Sequence, residues 1–390
     1  MELQPLRGLL KRVPAGSGDF SRHLDQYLPG NRLTLYTRGK ELYASMWEAI
    51  DAAQETIHLE TYILRHDGTG ERFAERLMAK ARVGVRVRLI YDSVGALEID
   101  PGFIHRMRNA GVQFLEYHPI APWRPRWTWF RRDHRKILVI DGKIAFTGGA
   151  NISDDHAPKD EGGRDWYDVH VRVEGPAAHE LDRAFRGVWF KETGRWFPID
   201  PKKLADAGSS KVWVATNHEF IHRYKIRSAY LTAIKAAARK VTLANAYFVP
   251  DLRTTRALAL AARRGVDVRL LVQGHSDIPS VWYAGRFQYD YLLSRGVRIF
   301  EWDGEILHAK AAVVDDQWAT VGSYNLDHRS LLSNLEVNLH VLDGEFAAQL
   351  GRRLEDDAAH SREIKLDDWR KRPLADQVRE AFWYQFRYLF

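Results

Sequence analysis

Residues 134–151 are HRKILVIDGKIAFTGGAN, and residues 308–325 are HAKAAVVDDQWATVGSYN. Both stretches place a His and a Lys two positions apart before an apolar run, so the two side chains share one face of a strand that is buried on both sides. The sequences DGK and DDQ predict tight turns that close each stretch into a β-hairpin. The hairpins predict four facing pairs: His134 and Asn151, Lys136 and Gly149, His308 and Asn325, and Lys310 and Ser323.

The rest of the chain repeats in the same order. The echoes are AIDAAQETIHLETYIL (49–64) with AIKAAARKVTLANAYFVP (233–250), ARVGVRVRLIYD (81–92) with ARRGVDVRLLVQG (262–274), and AGVQFLEY (110–117) with RGVRIFEW (295–302). Together with the two His-x-Lys stretches they indicate an internally duplicated domain, with its seam at 197–210. In each half an Ala-rich helical stretch leads into a β-branched run, which predicts an α/β layered sheet.

Composition limits the classes of function. The chain has 390 residues, which suits two domains better than one core. It has no cysteine, which excludes disulfides, thiolate zinc sites and cysteine nucleophiles. The net charge of +7 favours nucleic acid, an anionic lipid surface or a phosphate-bearing substrate. The N-terminus lacks a signal-peptide core and no window reaches about 18 uncharged apolar residues, so we expect any membrane contact to be peripheral.

The side chains gathered by the two stretches fit a phosphodiester. Lys and the Asn amide can hold non-bridging oxygens, and His can attack phosphorus or exchange protons with the leaving and arriving alcohols. Metal binding fits poorly, because a lysine ammonium has no lone pair to give and no dense carboxylate cluster accompanies the stretches. We expect neither a metal ion nor a cofactor.

The pattern His-x-Lys-x4-Asp-x6-Gly-(Gly/Ser)-x-Asn, present twice, resembles the paired motifs of the phospholipase D superfamily. The stretches RRDHRKILVIDGKIAFTGGANIS, ANAYFVP and GSYNLDHRSLLSNLEVN are most similar to bacterial cardiolipin synthases, especially the shorter B type, and the similarity covers residues 33–345. The resemblance implies two α/β/α sandwich domains with mixed β-sheets, related by a pseudo-twofold axis, with the active site between them. The predicted organisation is an N-terminal extension (1–32), domain 1 (33–205), domain 2 (206–360) and a C-terminal amphipathic segment (361–390).

The resemblance also implies a two-step mechanism. One histidine attacks phosphorus to give a phosphohistidine while the other protonates the leaving alcohol, and an acceptor alcohol then reverses the roles. By similarity, His134 is the nucleophile and His308 the acid and then the base. The predicted catalytic set is His134, Lys136, Asp141, His308, Lys310 and Asp315, with the two aspartates mainly anchoring the turns. The predicted phosphate-binding residues are Asn151, Asn325, Ser323 and Gly149.

A nucleophilic histidine needs a partner on its other ring nitrogen. Corresponding places after the two motifs hold Asp168 and Glu336, and in the family such carboxylates hold the histidines. A solvated position at a sheet edge is the alternative for both. Tyr62 and Tyr247 recur in the repeat, and they either line the cleft or pack in the core.

Aromatic residues cluster at two places. One cluster, Trp123, Trp127, Trp129 and Phe130, lies among arginines before the first motif, and the other lies in LADQVREAFWYQFRYLF (374–390), which spaces apolar residues four apart. Such segments are typical of nucleic-acid surfaces or of membrane interfaces. We expect the first cluster, with Phe382, Trp383 and Phe386 of the second, to bind a membrane. A helix that caps the core of domain 2 is the alternative for the second.

These expectations combine into a function. We expect a phosphatidyltransferase that joins two phosphatidylglycerols and releases glycerol, acting on anionic phospholipids at the cytoplasmic side of a bacterial inner membrane, without nucleic acid. The alternatives are phospholipid hydrolysis as in a phospholipase D, a nuclease or phosphodiesterase of the same superfamily, and a catalytically idle membrane scaffold. Duplication within one chain removes the need for a homo-oligomer to complete the site but permits one.

Overall fold

The computed structural model of the chain describes residues 15–124, 126–197, 206–217 and 224–390. The start of the predicted N-terminal extension, residues 1–14, lies outside this part, as does 198–205 in the predicted seam. Within these ranges, none of the helices is both long enough and apolar enough to cross a bilayer.

In the described residues, fifteen strands form one mixed sheet. They are β1 (Leu28–Tyr36), β2 (Thr56–Thr61), β3 (Arg86–Asp92), β4 (Gln113–Tyr117), β5 (Ile137–Ile140), β6 (Ile144–Gly148), β7 (His170–Glu174), β8 (Ser210–Asn217), β9 (Lys240–Asn245), β10 (Asp267–Gln273), β11 (Arg298–Trp302), β12 (Lys310–Val314), β13 (Trp318–Gly322), β14 (Glu336–Leu342) and β15 (Arg362–Ile364). Their order across the sheet is β15-β11-β10-β9-β12-β13-β14-β8-β1-β7-β6-β5-β2-β3-β4.

The strand order shows the duplication directly. Reading outward from the centre, β1-β7-β6-β5-β2-β3-β4 in the first half matches β8-β14-β13-β12-β9-β10-β11 in the second. The halves join where β1 pairs antiparallel with β8, with Asn31 opposite Ser210. The strands β2-β3-β4 and the equivalent β9-β10-β11 pair in parallel, and the two motif hairpins pair antiparallel. The predicted α/β class, mixed sheets and pseudo-twofold duplication are confirmed.

Helices cover both faces of the sheet. They are α1 (Gly39–Ala52), α2 (Gly68–Arg82), α3 (Pro101–Asn109), α4 (Pro176–Thr193), α5 (Lys225–Ala236), α6 (Leu252–Arg263), α7 (Pro279–Arg286), α8 (Tyr289–Leu293), α9 (His328–Leu332), α10 (Gly344–Ala359), α11 (Leu366–Arg370) and α12 (Leu374–Gln385). Apolar residues recur at helical spacing on their inner faces, as with Phe346, Leu350 and Leu354 of α10, which are buried.

The apolar cores explain why the two motifs meet. One core packs α1, α2 and α3 on the first half of the sheet, and another packs α5, α6 and α8 on the second half. A further core joins the halves and contains Val139 and Val171 from the first with Val313 and Leu339 from the second. Because this shared core buries strands of both motif hairpins, each half positions the other half's catalytic segment.

The register predicted for the two hairpins is wrong by one residue. Ile137 pairs with Thr147, whereas the predicted pairing requires Gly148, and Ala311 pairs with Val321 in the second half. The cause is a three-residue loop in each hairpin, which begins with two successive residues at positive φ, for example Asp141 at 52° and Gly142 at 67°. A shift of one residue moves every facing pair, so the four predicted pairs do not form.

Regular structure begins and ends outside the two predicted domains. β1 starts at Leu28, inside the predicted extension 1–32, and carries the contact between the halves. At the other end, Glu363 of β15 lies opposite Phe300 of β11, and Trp369 of α11 is buried. The start of the segment predicted as amphipathic therefore belongs to the second half, since β15 extends its sheet and α11 packs Trp369 into its core.

Candidate active site

The two motif histidines, His134 and His308, line one cavity of about 460 Å³. Its wall comes from both halves of the chain. It is lined by Tyr62, Ile63, Arg65, Arg132, His134, Asn151, Asp155, Trp166, Tyr247, Asp277, Ile278, Val281, His308, Asn325, Asp327, Arg329, Asn334, Leu389 and Phe390. Tyr62 and Tyr247 line this cleft, so the first of their two predicted positions, in the cleft or in the core, is the observed one.

Each histidine is held by a carboxylate from the other half. Nδ1 of His308 lies 2.7 Å from Oδ2 of Asp168, and Nδ1 of His134 lies 3.1 Å from Oε1 of Glu336. All four side chains are buried. A carboxylate can only accept, so it favours the tautomer with hydrogen on Nδ1 and leaves the Nε2 lone pair for chemistry.

Main-chain hydrogen bonds between the halves explain this crossed arrangement. The N–H of His134 donates to the carbonyl of Leu335 over 3.0 Å, and the N–H of His308 donates to the carbonyl of Tyr167 over 2.7 Å. Glu336 and Asp168 are the next residues in the chain. The residue that accepts the N–H of each motif histidine is therefore followed directly by the residue whose carboxylate lies beside that histidine.

The two lysines are buried behind the histidines. Nζ of Lys136 donates to the carbonyl of His134 over 2.6 Å, and Lys310 makes the same bond to His308. Burial lowers the pKa of Lys136 to about 7 and that of Lys310 to about 8. Nζ of Lys136 lies 5.3 Å from the centre of the Tyr62 ring, which adds a cation–π contact.

Charge and burial keep the histidines neutral before substrate arrives. Burial, followed by the charges of Lys136 and Lys310, holds the pKa of both His134 and His308 well below its usual range. Burial also raises the pKa of the partner carboxyl Glu336 to about 7. Neutral imidazoles with free Nε2 lone pairs suit nucleophilic attack on phosphorus.

The small residues of the motifs support the two carboxylates. A Cβ at Gly149 would overlap the Asp168 carboxylate, so this position needs glycine to admit the side chain that holds His308. At the equivalent place, the Ser323 hydroxyl donates to Glu336 and accepts from the N–H of Val337 over 3.1 Å. Phosphate binding by Gly149 and Ser323 stays a prediction.

The two asparagines lie at the cleft. Asn151 Oδ1 accepts from the N–H of Ile63 over 3.2 Å, which leaves its amide N–H₂ as the donor group. Asn325 Oδ1 is buried and has no hydrogen-bond partner within the described part of the chain. Their predicted phosphate-binding role fits this position and stays a prediction.

The motif aspartates lie at the far ends of the hairpin strands. Asp141 Oδ1 accepts from the N–H of Thr56 over 2.8 Å, and Asp315 Oδ1 accepts from the N–H of Lys240 over 2.7 Å. Each carboxylate thereby joins the hairpin loop to the start of the neighbouring strand, β2 or β9. Since β5 separates Asp141 from the cleft, these contacts are structural, as expected from the turns.

Sequence reasoning missed several residues of the cleft. Arg132, Asp277 and Arg329 line it, and His156 is buried beside His308 with ring centres 5.6 Å apart. Both ring nitrogens of His156 lack a hydrogen-bond partner among the described residues, and burial lowers its pKa to about 3. Arg132 and Arg329 had a sequence signal, because Arg132 lies two residues before His134 in RRDHRKILVIDGKIAFTGGANIS and Arg329 follows the second motif in GSYNLDHRSLLSNLEVN.

One group at the cleft has the side chains of a metal site. Ligand atoms of His156, Asp168 and His308 all lie within 4.8 Å of one another. Lys136 and Lys310 contribute positive charge at the same place, since both lower the pKa of His308. A cation would meet this repulsion and would compete with His308 for the Asp168 carboxylate, so these residues fit a resident metal ion poorly.

The first aromatic cluster is exposed beside the cleft. The exposed fractions are 84% for Trp123, 56% for Trp129, 68% for Phe130 and 45% for Trp127. Trp127 is anchored, because its indole N–H donates to the carbonyl of Ile120 over 2.9 Å. The carbonyl of Thr128, within the same loop, accepts from Arg132, which lines the cleft.

The last helix, α12, has two apolar faces. Its outer face exposes a stripe four residues apart, formed by Leu374, Val378, Phe382 and Phe386. Its inner face packs Trp383, Tyr384 and the following Phe390 against a cluster of Val249, Val281 and Ala284. Trp383, predicted to bind the membrane, therefore packs against the protein, whereas Phe382 and Phe386 are exposed, and membrane binding by this segment stays a prediction.

Comparison with known proteins agrees with this geometry. The family described as "Cardiolipin synthase, PLD-like domain" matches residues 46–189 and 230–358, once in each half. Cardiolipin synthase B of Salmonella typhi is 38% identical over 340 residues, which cover 84% of this chain and 80% of that protein. Cardiolipin synthase of Geobacillus kaustophilus is 34% identical over 356 residues, which cover 90% and 71%.

A solved structure shares the fold at much lower identity. Phosphatidylserine synthase of Haemophilus influenzae Rd KW20 superposes with a TM-score of 0.70 at 14% identity, covering 95% of this chain and 99% of that one. That likeness concerns the arrangement of strands and helices, whereas the family match covers both motif halves. The chain belongs to the cardiolipin synthase family of phospholipase D-like proteins.

Proposed function

We propose that the protein is a cardiolipin synthase-like phosphatidyltransferase, which joins two phosphatidylglycerols and releases glycerol. The observation that carries the proposal is the pair of crossed histidine–carboxylate contacts, His134 with Glu336 and His308 with Asp168, at one cleft. The ammonium group of a lysine donates to the carbonyl of each histidine. The site therefore offers a nucleophile, an acid and positive charge to one phosphodiester.

The first step forms a phosphohistidine. Nε2 of His134 attacks phosphorus, the bond from phosphorus to the glycerol oxygen breaks, and His308 gives that oxygen a proton. An anionic phosphate in the cleft offsets the charges of Lys136 and Lys310, which raises the pKa of His308 and lets it carry the proton. The two imidazoles titrate as a pair across the shared phosphate.

The second step transfers the phosphatidyl group. The primary hydroxyl of another phosphatidylglycerol loses its proton to His308, its oxygen bonds to phosphorus, and the bond to His134 breaks. The assignment of His134 as nucleophile rests on the resemblance to the family. The exchange needs neither an oxidant nor a nucleotide, because one phosphate ester bond replaces another.

Two exposed apolar surfaces support a proposed contact with the membrane. The tryptophan loop (Trp123, Trp129 and Phe130) contacts the cleft wall through Thr128, while Leu389 and Phe390, a few residues after the end of α12, line the cleft. A bilayer that touches both surfaces would bring lipid headgroups to the cleft while the acyl chains stay in the membrane. We propose a peripheral enzyme on anionic phospholipids at the cytoplasmic side of a bacterial inner membrane.

Mass spectrometry of lipids tests the function. The purified chain is mixed with phosphatidylglycerol vesicles in excess EDTA, beside His134→Ala and His308→Ala variants. Cardiolipin and glycerol formed only by the intact protein would support the transferase without a metal. Phosphatidic acid alone would mean that water is the acceptor. No change in the lipids would contradict the proposal, and nucleic-acid phosphodiesters would be tested next.

A further inference from the structure

Joining two phospholipids brings two phosphodiesters into one cleft. The donor phosphodiester reacts at His134 and His308, whereas the acceptor lipid carries a second one that stays intact. Each keeps a negative charge, and a charge in a partly desolvated cavity is costly unless a cation or hydrogen-bond donor compensates it. The cleft should therefore contain a cation that the catalytic set does not use.

Three described residues of the cleft wall are arginines, and two of them have ionic partners. Arg65 donates to Asp155 Oδ2 over 2.9 Å. Arg132 is buried, with its guanidinium 3.4 Å from Oδ1 of Asp92. The side chain of Arg329 has no ion-pair or hydrogen-bond partner within the described ranges, although it lines the same cavity.

The backbone of Arg329 is fixed close to the reacting centre. Its carbonyl accepts from the N–H of Asn334 over 3.0 Å, and the neighbouring Ser330 hydroxyl donates to Glu336 Oε1 over 2.7 Å. Glu336 is the carboxylate that holds His134. Arg329 therefore lies on α9 next to Ser330, the residue that helps to hold Glu336 beside His134. The long arginine side chain remains available to a ligand.

The surroundings of Arg329 suit a lipid. Ile278, Val281, Leu389 and Phe390 give the same cleft an apolar wall, which fits the glycerol backbone and first acyl carbons of a phospholipid. A guanidinium beside such a wall can bind two phosphate oxygens at once, as arginine does at phosphate sites.

We infer that Arg329 binds the phosphodiester of the acceptor lipid, an inference that rests on the proposed function. In this role it holds the acceptor while the acceptor hydroxyl oxygen bonds to phosphorus and the phosphohistidine bond breaks. It thereby favours a phospholipid acceptor over water or a small alcohol, since neither of these carries a phosphate for the guanidinium to bind.

The test compares acceptors. Wild type, Arg329→Gln and Arg329→Lys are incubated with phosphatidylglycerol vesicles, with and without ethanol, and the lipid products are quantified by mass spectrometry. Arg329→Gln should lower the ratio of cardiolipin to phosphatidic acid about ten- to hundredfold, since one charge-assisted contact is lost. The ratio of phosphatidylethanol to phosphatidic acid should stay as in wild type. For Arg329→Lys, the ratio of cardiolipin to phosphatidic acid should lie between those of wild type and Arg329→Gln.

Product ratios do not depend on how much of a variant is folded, which keeps the test decisive. Arg65→Gln removes a positive charge of the same cleft that is already paired, and it should leave the cardiolipin ratio unchanged. An unchanged ratio in Arg329→Gln, or an equal fall of all three products, would overturn the acceptor role. If wild type itself forms no cardiolipin, the proposed function fails and this inference fails with it.

Discussion

Nδ1 of His308 lies 2.7 Å from Oδ2 of Asp168, a residue 140 positions earlier in the chain and in the other half of the duplicated fold. The reciprocal contact joins His134 to Glu336 across 202 positions. Neither half therefore has a complete catalytic histidine by itself. This explains why the shared core between the halves matters for chemistry as well as for stability.

Asp168→Asn should reduce the rate of phosphatidyl transfer about a hundredfold or more. The amide keeps the size of the carboxylate, but it no longer favours hydrogen on Nδ1 of His308, so the wrong tautomer faces the phosphate. Initial rates on phosphatidylglycerol vesicles give the result, with thermal unfolding as the control for folding. Wild-type rates in this variant would show that Asp168 does not orient His308.

Gly149→Ala should also reduce turnover, by about ten- to a hundredfold, although it changes no group that touches the substrate. Its methyl group would displace the Asp168 carboxylate from its present position beside His308. Ser323→Ala is the matched variant in the second motif, where a methyl group already fits and only the hydrogen bonds of the hydroxyl are lost. Gly149→Ala should therefore have the lower kcat of the two variants, and a lower kcat for Ser323→Ala would contradict this account.

The pH dependence of kcat/KM should show a loss of activity as pH rises through about 7 to 8. Burial lowers the pKa of Lys136 to about 7 and of Lys310 to about 8, so the free enzyme loses positive charge in this window, well below the ordinary titration of lysine. Initial rates at low substrate between pH 6 and 9 measure it. A profile that stays flat to pH 9 would mean that the lysines remain charged.

The same pKa shifts affect stability with a definite sign. A lysine whose pKa is lowered on folding binds more protons in the unfolded chain, so its contribution to the free energy of unfolding increases as pH rises from about 7 towards 10.5. Lys136→Met removes this dependence. Urea unfolding at pH 7 and pH 9 should therefore show a smaller increase in the free energy of unfolding for the variant than for wild type. Equal increases would contradict a lowered pKa of Lys136 in the folded protein.

The sequence predicted much of this site because the information is local. A fixed spacing within each motif places His134 and Lys136 together, and the repeat identifies Asp168 and Glu336 as equivalent. The crossing of the carboxylates could not be predicted, since it depends on backbone pairing between distant segments such as His134 and Leu335. Spacing along the chain carries no such information.

Two further differences have local physical causes. The hairpin register was off by one because successive residues at positive φ, Asp315 and Asp316 in the second half, open a three-residue loop where the sequence alone suggests a shorter turn. On α12, apolar residues surround much of the helix, so periodicity could not tell the face that packs on α7 from the face that is exposed. The contacts of Trp383 separate them.

Replacing Trp123, Trp129 and Phe130 by Ser should weaken binding to anionic vesicles while leaving the thermal midpoint close to wild type. These side chains are exposed and contribute little to any core, so their loss removes apolar surface for the membrane and not for the fold. Vesicle sedimentation at several salt concentrations separates their effect from that of the nearby arginines. Unchanged sedimentation would exclude the tryptophan loop from membrane contact.

The two faces of α12 allow a matched comparison. Phe382 and Phe386 lie on the exposed stripe, whereas Trp383 packs against Val249 and Val281. Phe382→Ser with Phe386→Ser should reduce vesicle binding with a much smaller loss of stability, since both side chains are exposed and contact the protein mainly at Trp383. Trp383→Ser should instead lower the free energy of unfolding by about 2 kcal/mol, as expected for an aromatic ring that is only partly buried. If the double variant destabilises the protein as much as Trp383→Ser does, the stripe supports the fold and not a membrane contact.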